Sequence, residues 1–256
     1  MRRLFQCIRL GGLLAALACG IPARAACANT SYANGWTCVQ GTGLTSNAGA
    51  GASITLTFGS NVVAGHIISV ISRACNDAPC ATNGTQTASI SGNAVGSCVQ
   101  DAGTPVNTTS HWRYFAFVCT TASTGTQVTV TASGSMQFLG GWIAEWIGGS
   151  ARFGNNGNIS SGTGTSSSVT HTVAGTSSLF ICSTSNQLTA AITPGSGFTE
   201  ISETNNGGES EAKTGVSGSQ SGTSSWTGSL VWDSYCGDVS PLLGPPPMQM
   251  MQGAGD

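Results

Sequence analysis

The segment Ala52-Ser-Ile-Thr-Leu-Thr-Phe58 alternates apolar and polar side chains along its whole length. Alternate residues of a β-strand point to opposite faces, so this pattern predicts a strand with one face on a core and a threonine face in water. Segment 127–131 repeats the alternation. Segments 67–71 and 138–147 are more continuously apolar, which predicts strands that are buried on both faces.

The rest of the chain shows the same kinds of pattern. Further strands are predicted in four segments: 112–119, 179–182, 198–201 and 235–239. Stretches rich in Gly, Ser, Thr and Asn are predicted to be loops: 41–51, 155–168 and 217–225. Many short strands without a convincing helix favour an all-β domain, an antiparallel two-sheet sandwich over residues 26–243. The proline-rich tail 244–256 cannot continue a sheet, so we expect it to be disordered.

Composition excludes several function classes. Charged residues make up 7% of the 256 residues, against roughly 25% in an average soluble domain. Nucleic-acid binding is not expected, because there is no basic excess to meet phosphates. A coiled coil and a charge-rich disordered chain are also excluded.

The first 25 residues have the features of a secretory signal peptide. Arg2, Arg3 and Arg9 form a basic start, an apolar stretch covers 10–21, and Ala23-Arg-Ala25 is a cleavage signal. Lipidation at Cys19 is the weaker alternative, because leucine does not stand three residues before it. Cleavage would leave four basic and ten acidic residues, a formal charge of −6. We expect a secreted or cell-surface protein, with the periplasm as the alternative compartment, and no transmembrane segment.

Cysteine usage agrees with export. Eight cysteines follow residue 25, and an even number in an oxidising compartment indicates disulfides. Hairpin and loop spacing favours four pairs: Cys27–Cys38, Cys75–Cys80, Cys98–Cys119 and Cys182–Cys236. A zinc site is not expected, because the chain has no pair of cysteines in CxxC spacing.

Several short motifs occur in a recognisable order. They are Ser60-Asn-Val-Val-Ala-Gly-His-Ile-Ile68, the aromatic segment 114–117 before 125–131, Ile143-Ala-Glu-Trp-Ile-Gly148, Gly195-Ser-Gly-Phe-Thr199 and Asp233-Ser-Tyr-Cys-Gly237. In this order the chain resembles a β-sandwich domain family common in exported proteins of environmental bacteria, over roughly residues 36–243. The resemblance implies a jelly-roll-like sandwich and supplies no catalytic residues. The sequence departs from the pattern at 240–243, where an aliphatic last strand is usual.

Glu145 stands out because it lies between two isoleucines on one face of an apolar strand. A carboxylate there needs a partner or a raised pKa. We expect a structural buried acid that pairs with Arg113, Arg152 or backbone amides. The alternative is a catalytic acid or a metal ligand.

The remaining titratable groups give weaker signals. Four glutamates lie close in sequence: Glu200, Glu203, Glu209 and Glu211. A hairpin with a solvated acidic face is the expected arrangement, and a Ca²⁺ site is the alternative. The histidines at positions 66, 111 and 171 are expected to be satisfied or solvent-facing, and no catalytic triad or nucleophile elbow is recognised.

Six tryptophans are many for a chain of this size. Trp142 and Trp146 are expected in the core. The other four lie on or beside polar stretches and are candidate sugar-stacking residues: Trp36, Trp112, Trp226 and Trp232. The alternative is that these rings cap the ends of the sandwich.

Together these features predict an exported, non-catalytic module for binding or adhesion. Its partner would be a glycan or a cell-surface protein, and self-assembly through threonine-rich edge strands is an alternative within the same class. The alternative from another class is an extracellular polysaccharide-active enzyme that uses Glu145 and a second carboxylate. No cofactor is expected, and Ca²⁺ is the alternative.

Overall fold

The computed structural model describes residues 27–47, 52–77, 80, 82–109, 111–134, 136–186, 191–204 and 207–241. The expected signal peptide at 1–25 and the expected disordered tail at 244–256 lie outside the described residues. The described chain is all-β, with a single 3₁₀ turn at Ala33–Gly35 and no α-helix. Within this part of the chain, no helix has the length and apolar character needed to cross a membrane.

Eighteen strands account for most of the described residues. In chain order they are β1 Ala28–Ser31, β2 Thr37–Asn47, β3 Ser53–Thr57, β4 Ile67–Cys75, β5 Ala88–Ser91, β6 Val95–Gln100, β7 Val106–Asn107, β8 Arg113–Thr121, β9 Gln127–Ala132, β10 Phe138–Ile147, β11 Gly149–Phe153, β12 Asn158–Ser166, β13 Val169–Val173, β14 Leu179–Ser185, β15 Thr199–Thr204, β16 Gly208–Lys213, β17 Gly218–Gly222 and β18 Ser225–Pro241.

The strands form four antiparallel sheets. A seven-stranded sheet has the order β1-β2-β10-β4-β8-β6, with β7 beside β8, and a six-stranded sheet has the order β11-β18-β14-β16-β15, with β12 beside β18. Two small sheets, β3-β9-β5 and β13-β17, complete the described fold. The expectation of two sheets is therefore incomplete, because the described residues form two large and two small ones.

Three apolar clusters show how the sheets are layered. Ile71 and Trp142 of the seven-stranded sheet pack against Ile181 and Tyr235 of the six-stranded sheet, so the two large sheets face each other. The outer face of the seven-stranded sheet is covered by β3-β9-β5 through a second cluster. The outer face of the six-stranded sheet is covered by β13-β17 through a third.

This layering explains the two kinds of strand in the sequence. Every residue of β4 and β14 is buried, because each of these strands lies in a large sheet with layers on both faces. The predicted burial of segments 67–71 and 138–147 on both faces is confirmed for all but the two ends of β10. By contrast, β3 alternates exposed and buried residues, as its threonine pattern predicted.

The predicted loops are partly wrong. Segment 41–51 begins within β2, segment 155–168 contains β12 and segment 217–225 contains β17. Small residues in these strands allow close packing of large neighbours. A Cβ on Gly41 would lie 2.8 Å from the Ile201 side chain, and one on Gly162 would lie 3.1 Å from the Trp232 ring.

Four cysteine pairs lie at disulfide distance, and they are the pairs that the spacing predicted. Their Cα–Cα distances are between 3.9 and 5.9 Å. Cys98–Cys119 joins β6 to β8 and Cys182–Cys236 joins β14 to β18, each at directly opposed positions. The backbone of Gly222 passes over the second of these bonds, since a Cβ there would lie within 2.3 Å of both sulfur atoms.

Candidate functional site

Glu145 is fully buried on β10 and is held by three donors. Its Oε1 accepts the Val63 backbone N–H at 2.9 Å and lies 2.7 Å from His66 Nδ1. Its Oε2 accepts the Gln40 side-chain amide at 2.7 Å. A carboxylate with this many donors is compensated for its loss of water. The expected structural role of Glu145 fits these contacts.

The hydrogen-bond partners of Glu145 differ in part from those expected. The backbone amide was anticipated, but Arg113 binds the carbonyl oxygens of Gln86 and Gly84 at 2.6 and 3.1 Å instead. His66 and Gln40 were missed, because they lie 79 and 105 residues from Glu145 in sequence. Register alone brings Gln40 opposite Glu145 across β2 and β10. Only a correct pairing of these two strands would have revealed that contact.

The same contacts fasten the connection between β3 and β4. The Gln40 amide donates to the Ser60 carbonyl and accepts from the Ser60 N–H and Oγ, each at 3.1 Å. Thr121 donates to the carbonyl oxygens of Val63 and His66 at 2.8 and 3.1 Å. Glu145 and Gln40 therefore hold the connection between β3 and β4 against the seven-stranded sheet.

The His66 ring is partly open to solvent. Its side chain is 16% exposed. Because a carboxylate oxygen accepts, His66 Nδ1 is the donor in this contact.

The four candidate stacking tryptophans are all buried. Trp36, Trp112, Trp226 and Trp232 have exposed fractions of 0, 5, 7 and 8%. The ring nitrogens of Trp36 and Trp226 donate to backbone carbonyls at 2.8 and 3.0 Å, and the Arg73 guanidinium covers Trp112 at 3.9 Å. A sugar-stacking platform must be exposed, so the burial of these four rings does not fit the candidate role. Trp142 and Trp146 lie in the core as expected.

A buried ion pair that the sequence did not indicate joins the two large sheets. Arg73 of β4 donates to both carboxylate oxygens of Asp233 on β18 at 2.9 Å, and the Tyr114 hydroxyl donates to the same carboxylate. Burial raises the pKa of Asp233, and the Arg73 charge opposes that rise. Burial also raises the pKa of Tyr114 well above its usual range. These residues form a structural network within the core.

The acidic cluster does not form the solvated face that was expected. Glu209 and Glu211, here called the carboxyl pair, are fully buried, while Glu200 and Glu203 opposite them are half-buried. Burial, followed by the charge of Glu211, raises the pKa of Glu209 to about 9, and burial raises the pKa of Glu211 to about 7. No group of three or more acidic, histidine or cysteine side chains in the described chain is arranged to hold a metal ion.

The most extensive polar surface among the small sheets lies on β3-β9-β5. Eight outward side chains, here called the hydroxyl face, carry hydroxyl or amide groups and no charge: Ser53, Thr55, Thr57, Ser89, Ser91, Gln127, Thr129 and Thr131. They stand in cross-strand rows, and the hydroxyls of Thr55 and Thr129 lie 3.0 Å apart. The threonine alternation at 52–58 and 127–131 was the sequence signal for this surface.

A small cavity lies between the two large sheets. It offers about 10 Å³ of space and is lined mainly by apolar side chains, among them Ile71, Trp142 and Ile181. Small-molecule pockets typically enclose about 300–1,000 Å³. This cavity has room for about one water molecule and is too small for a small-molecule ligand.

Comparison of the chain with protein-family models, with curated proteins and with solved structures found no match.

Proposed function

We propose that this chain is an exported, non-catalytic, jelly-roll-like β-sandwich module that binds a neutral glycan surface through the hydroxyl face. The uncharged, ordered rows of the hydroxyl face are the observation that carries the proposal. Adjacent strands lie about 4.8 Å apart and same-face residues about 6.8 Å apart, so hydroxyl groups are presented at regular intervals to a partner. A partner with many hydroxyl groups suits such a surface, because each contact exchanges one neutral hydrogen bond for another.

The backing of the hydroxyl face supports the same role. Ile54, Leu56, Val128 and Val130 point inward from β3 and β9 into the cluster shared with the seven-stranded sheet. The outward side chains therefore stand on a packed base and need little rearrangement on binding. Surfaces that are ordered beforehand lose less conformational entropy when they bind.

The proposal is tested by binding of the secreted protein to a glycan array and to isolated cell-wall polymers. Thr129 lies on the central strand of the hydroxyl face and Thr55 lies beside it. We expect Thr129→Arg and Thr55→Arg each to weaken binding about ten-fold or more, equivalent to about 1.4 kcal/mol. Thr170→Arg is the matched control, because Thr170 is an exposed threonine on the other small sheet.

Three results would replace the proposal. Equal binding by all three variants would remove the hydroxyl face from the function. Polysaccharide turnover by the purified protein, lost in Glu145→Gln, would establish the enzymatic alternative. Concentration-dependent self-association without glycan binding, removed by proline in β3 or β5, would instead support assembly through strand edges.

A further inference from the structure

The carboxyl pair lies under a loop, and each member has a donor on only one oxygen. Glu209 Oε1 accepts the Ser224 hydroxyl at 3.0 Å, and Glu211 Oε2 accepts the Gly195 backbone N–H at 2.8 Å. The other oxygen of each side chain is buried and has no donor among the described groups. Glu145, by comparison, receives three donors.

The two side chains stand on the same face of β16, two residues apart, and each influences the pKa of the other. Ionised carboxylates are acceptors only, so two of them cannot form a hydrogen bond. A hydrogen bond between two carboxyl groups requires that one of them carries a proton. The two oxygens without donors are the atoms available to share it.

The surroundings make a second negative charge costly. Across β15, Glu203 lies opposite Glu209 and Glu200 lies opposite Glu211, and like charges in opposed positions are unfavourable. On the other side, β14 presents the uncharged Thr184 and Cys182. The overlying segments contribute Ser224 and Gly195, which are also uncharged.

The nearest cation does not neutralise the pair directly. Lys213 follows on the same face of β16, and its ammonium group lies 4.3 Å from the Phe198 ring and 5.4 Å from the Phe180 ring. Its charge acts to lower the pKa of Glu211, but burial has the larger effect. A proton bound between the two carboxyl groups would therefore neutralise one of their charges where Lys213 does not.

We propose that Glu209 and Glu211 share one proton, and that this shared proton keeps segment 191–198 closed over Trp226 and Trp232. Segment 191–198 is here called the cap segment. When hydroxide removes the proton, water and two carboxylates are formed. The two negative charges repel each other and the facing glutamates, and the cap segment separates from the sheet.

The contacts of the cap segment show what its opening would uncover. Ile192 packs with Trp226 and Trp232 in a small cluster of its own. The cap segment is attached by the Gly195 contact to Glu211 and by two backbone hydrogen bonds between Thr193 and Ser225 at 2.8 and 3.0 Å. Phe198 at the end of the cap segment also packs against Phe180, with ring centroids 5.5 Å apart. The Glu211 contact is therefore one of a small number of attachments, and we expect its loss to increase tryptophan exposure.

The experiment uses the full chain, expressed with its own N-terminal segment in a secreting host. Carboxyl ¹³C NMR of labelled glutamate follows the five glutamates of the sequence from pH 3 to 10, with assignments from single substitutions. We expect the pair to titrate in two steps, the upper one near pH 9. Acrylamide quenching of tryptophan emission over the same range measures cap opening, and Trp226→Phe identifies its source.

Glu209→Gln keeps a neutral donor beside Glu211, so this variant should lose the rise in quenching near pH 9. Glu203→Gln is the control, since it removes a facing charge and leaves the pair intact, and it should retain the rise. Ordinary acidic titration of both Glu209 and Glu211 would overturn the proposal. An unchanged rise in Glu209→Gln would also overturn it, and the wild-type NMR titration decides the matter if that variant does not fold.

Discussion

Glu145 and the carboxyl pair are buried to the same extent but are stabilised in different ways. Glu145 receives a backbone amide, a side-chain amide and an imidazole, and it holds the connection between β3 and β4 against the seven-stranded sheet. Glu209 and Glu211 receive one donor each and face further glutamates. The difference teaches that burial alone does not decide how a carboxyl group affects stability. The number of donors and the sign of neighbouring charges decide it.

The largest expected effect comes from a third kind of buried acid, one that is compensated by a full charge. Arg73→Met leaves Asp233 buried without its cation, and we expect a loss of about 3–5 kcal/mol in the free energy of unfolding. Denaturant unfolding at pH 7 with the disulfides intact measures it. The double variant Arg73→Met with Asp233→Leu should recover most of the loss. A single variant as stable as the wild type would show that the pair is not needed.

The next effect tests the donors around Glu145. Glu145→Leu leaves the Val63 N–H, the Gln40 amide and the His66 ring without their acceptor. Each buried donor without a partner costs about 1–3 kcal/mol. Because His66 and Gln40 can turn toward water, we expect a total loss of about 3 kcal/mol. Glu145→Gln keeps an acceptor and should lose about half as much. Equal losses in the two variants would contradict the importance of the donors.

The third prediction concerns the pH dependence of stability that Glu209 and Glu211 cause. The folded pKa values of Glu209 and Glu211 are raised above the ordinary value of 4.5. The folded chain therefore binds more protons than the unfolded chain, and stability is highest below pH 4.5 as far as these two groups are concerned. It is lost as the pH rises toward about 9, by about 1.4 kcal/mol per pH unit for each proton.

Glu209→Gln should flatten this decline and be more stable than the wild type at pH 9. Chemical denaturation at several pH values between 5 and 9 measures both slopes. Glu203→Gln serves as the control, because its carboxyl group is half-buried and lies outside the pair. A wild-type slope equal to that of Glu209→Gln would mean that no proton is held at this position.

The smallest effect is expected on the hydroxyl face. Thr55→Arg and Thr170→Arg replace exposed side chains on the two small sheets, so each should change the free energy of unfolding by less than about 0.5 kcal/mol. Thermal unfolding of the two variants beside the wild type checks this. A larger loss in Thr55→Arg would show that the face contributes to folding and would complicate its use as a binding test.

Local pattern predicted much of the fold, because period-two alternation and continuous apolar runs reflect burial directly. The strand at 52–58 and the fully buried segment 67–71 are confirmed, and the cysteine spacing predicted the four pairs. The glycine- and serine-rich strands β2, β12 and β17 were missed. Their residues have turn chemistry, and only large neighbours such as Ile201 and Trp232 explain why small residues stand there.

The candidate sites were harder to predict than the fold, because they depend on contacts between residues that are distant in sequence. The position of Glu145 within an apolar strand predicted its burial, but its partners come from segments that only the sheet order brings together. The four tryptophans beside polar stretches were candidate stacking rings, yet all four are buried in the structure. The inward turn of Glu209 and Glu211 depends on the cover formed by segment 191–198 and Ser224, which composition does not indicate.

The glycine backbone that lies over Cys182–Cys236 has a consequence for redox chemistry. A thiolate must approach a disulfide along the line of its two sulfur atoms, and Gly222 occupies the space beside this bond. Cys98, in contrast, is only half-buried on the strand at the end of the seven-stranded sheet. An external reductant would therefore attack Cys98–Cys119 before Cys182–Cys236. During reduction, the link within the six-stranded sheet would be retained longer than the link at the edge of the seven-stranded sheet.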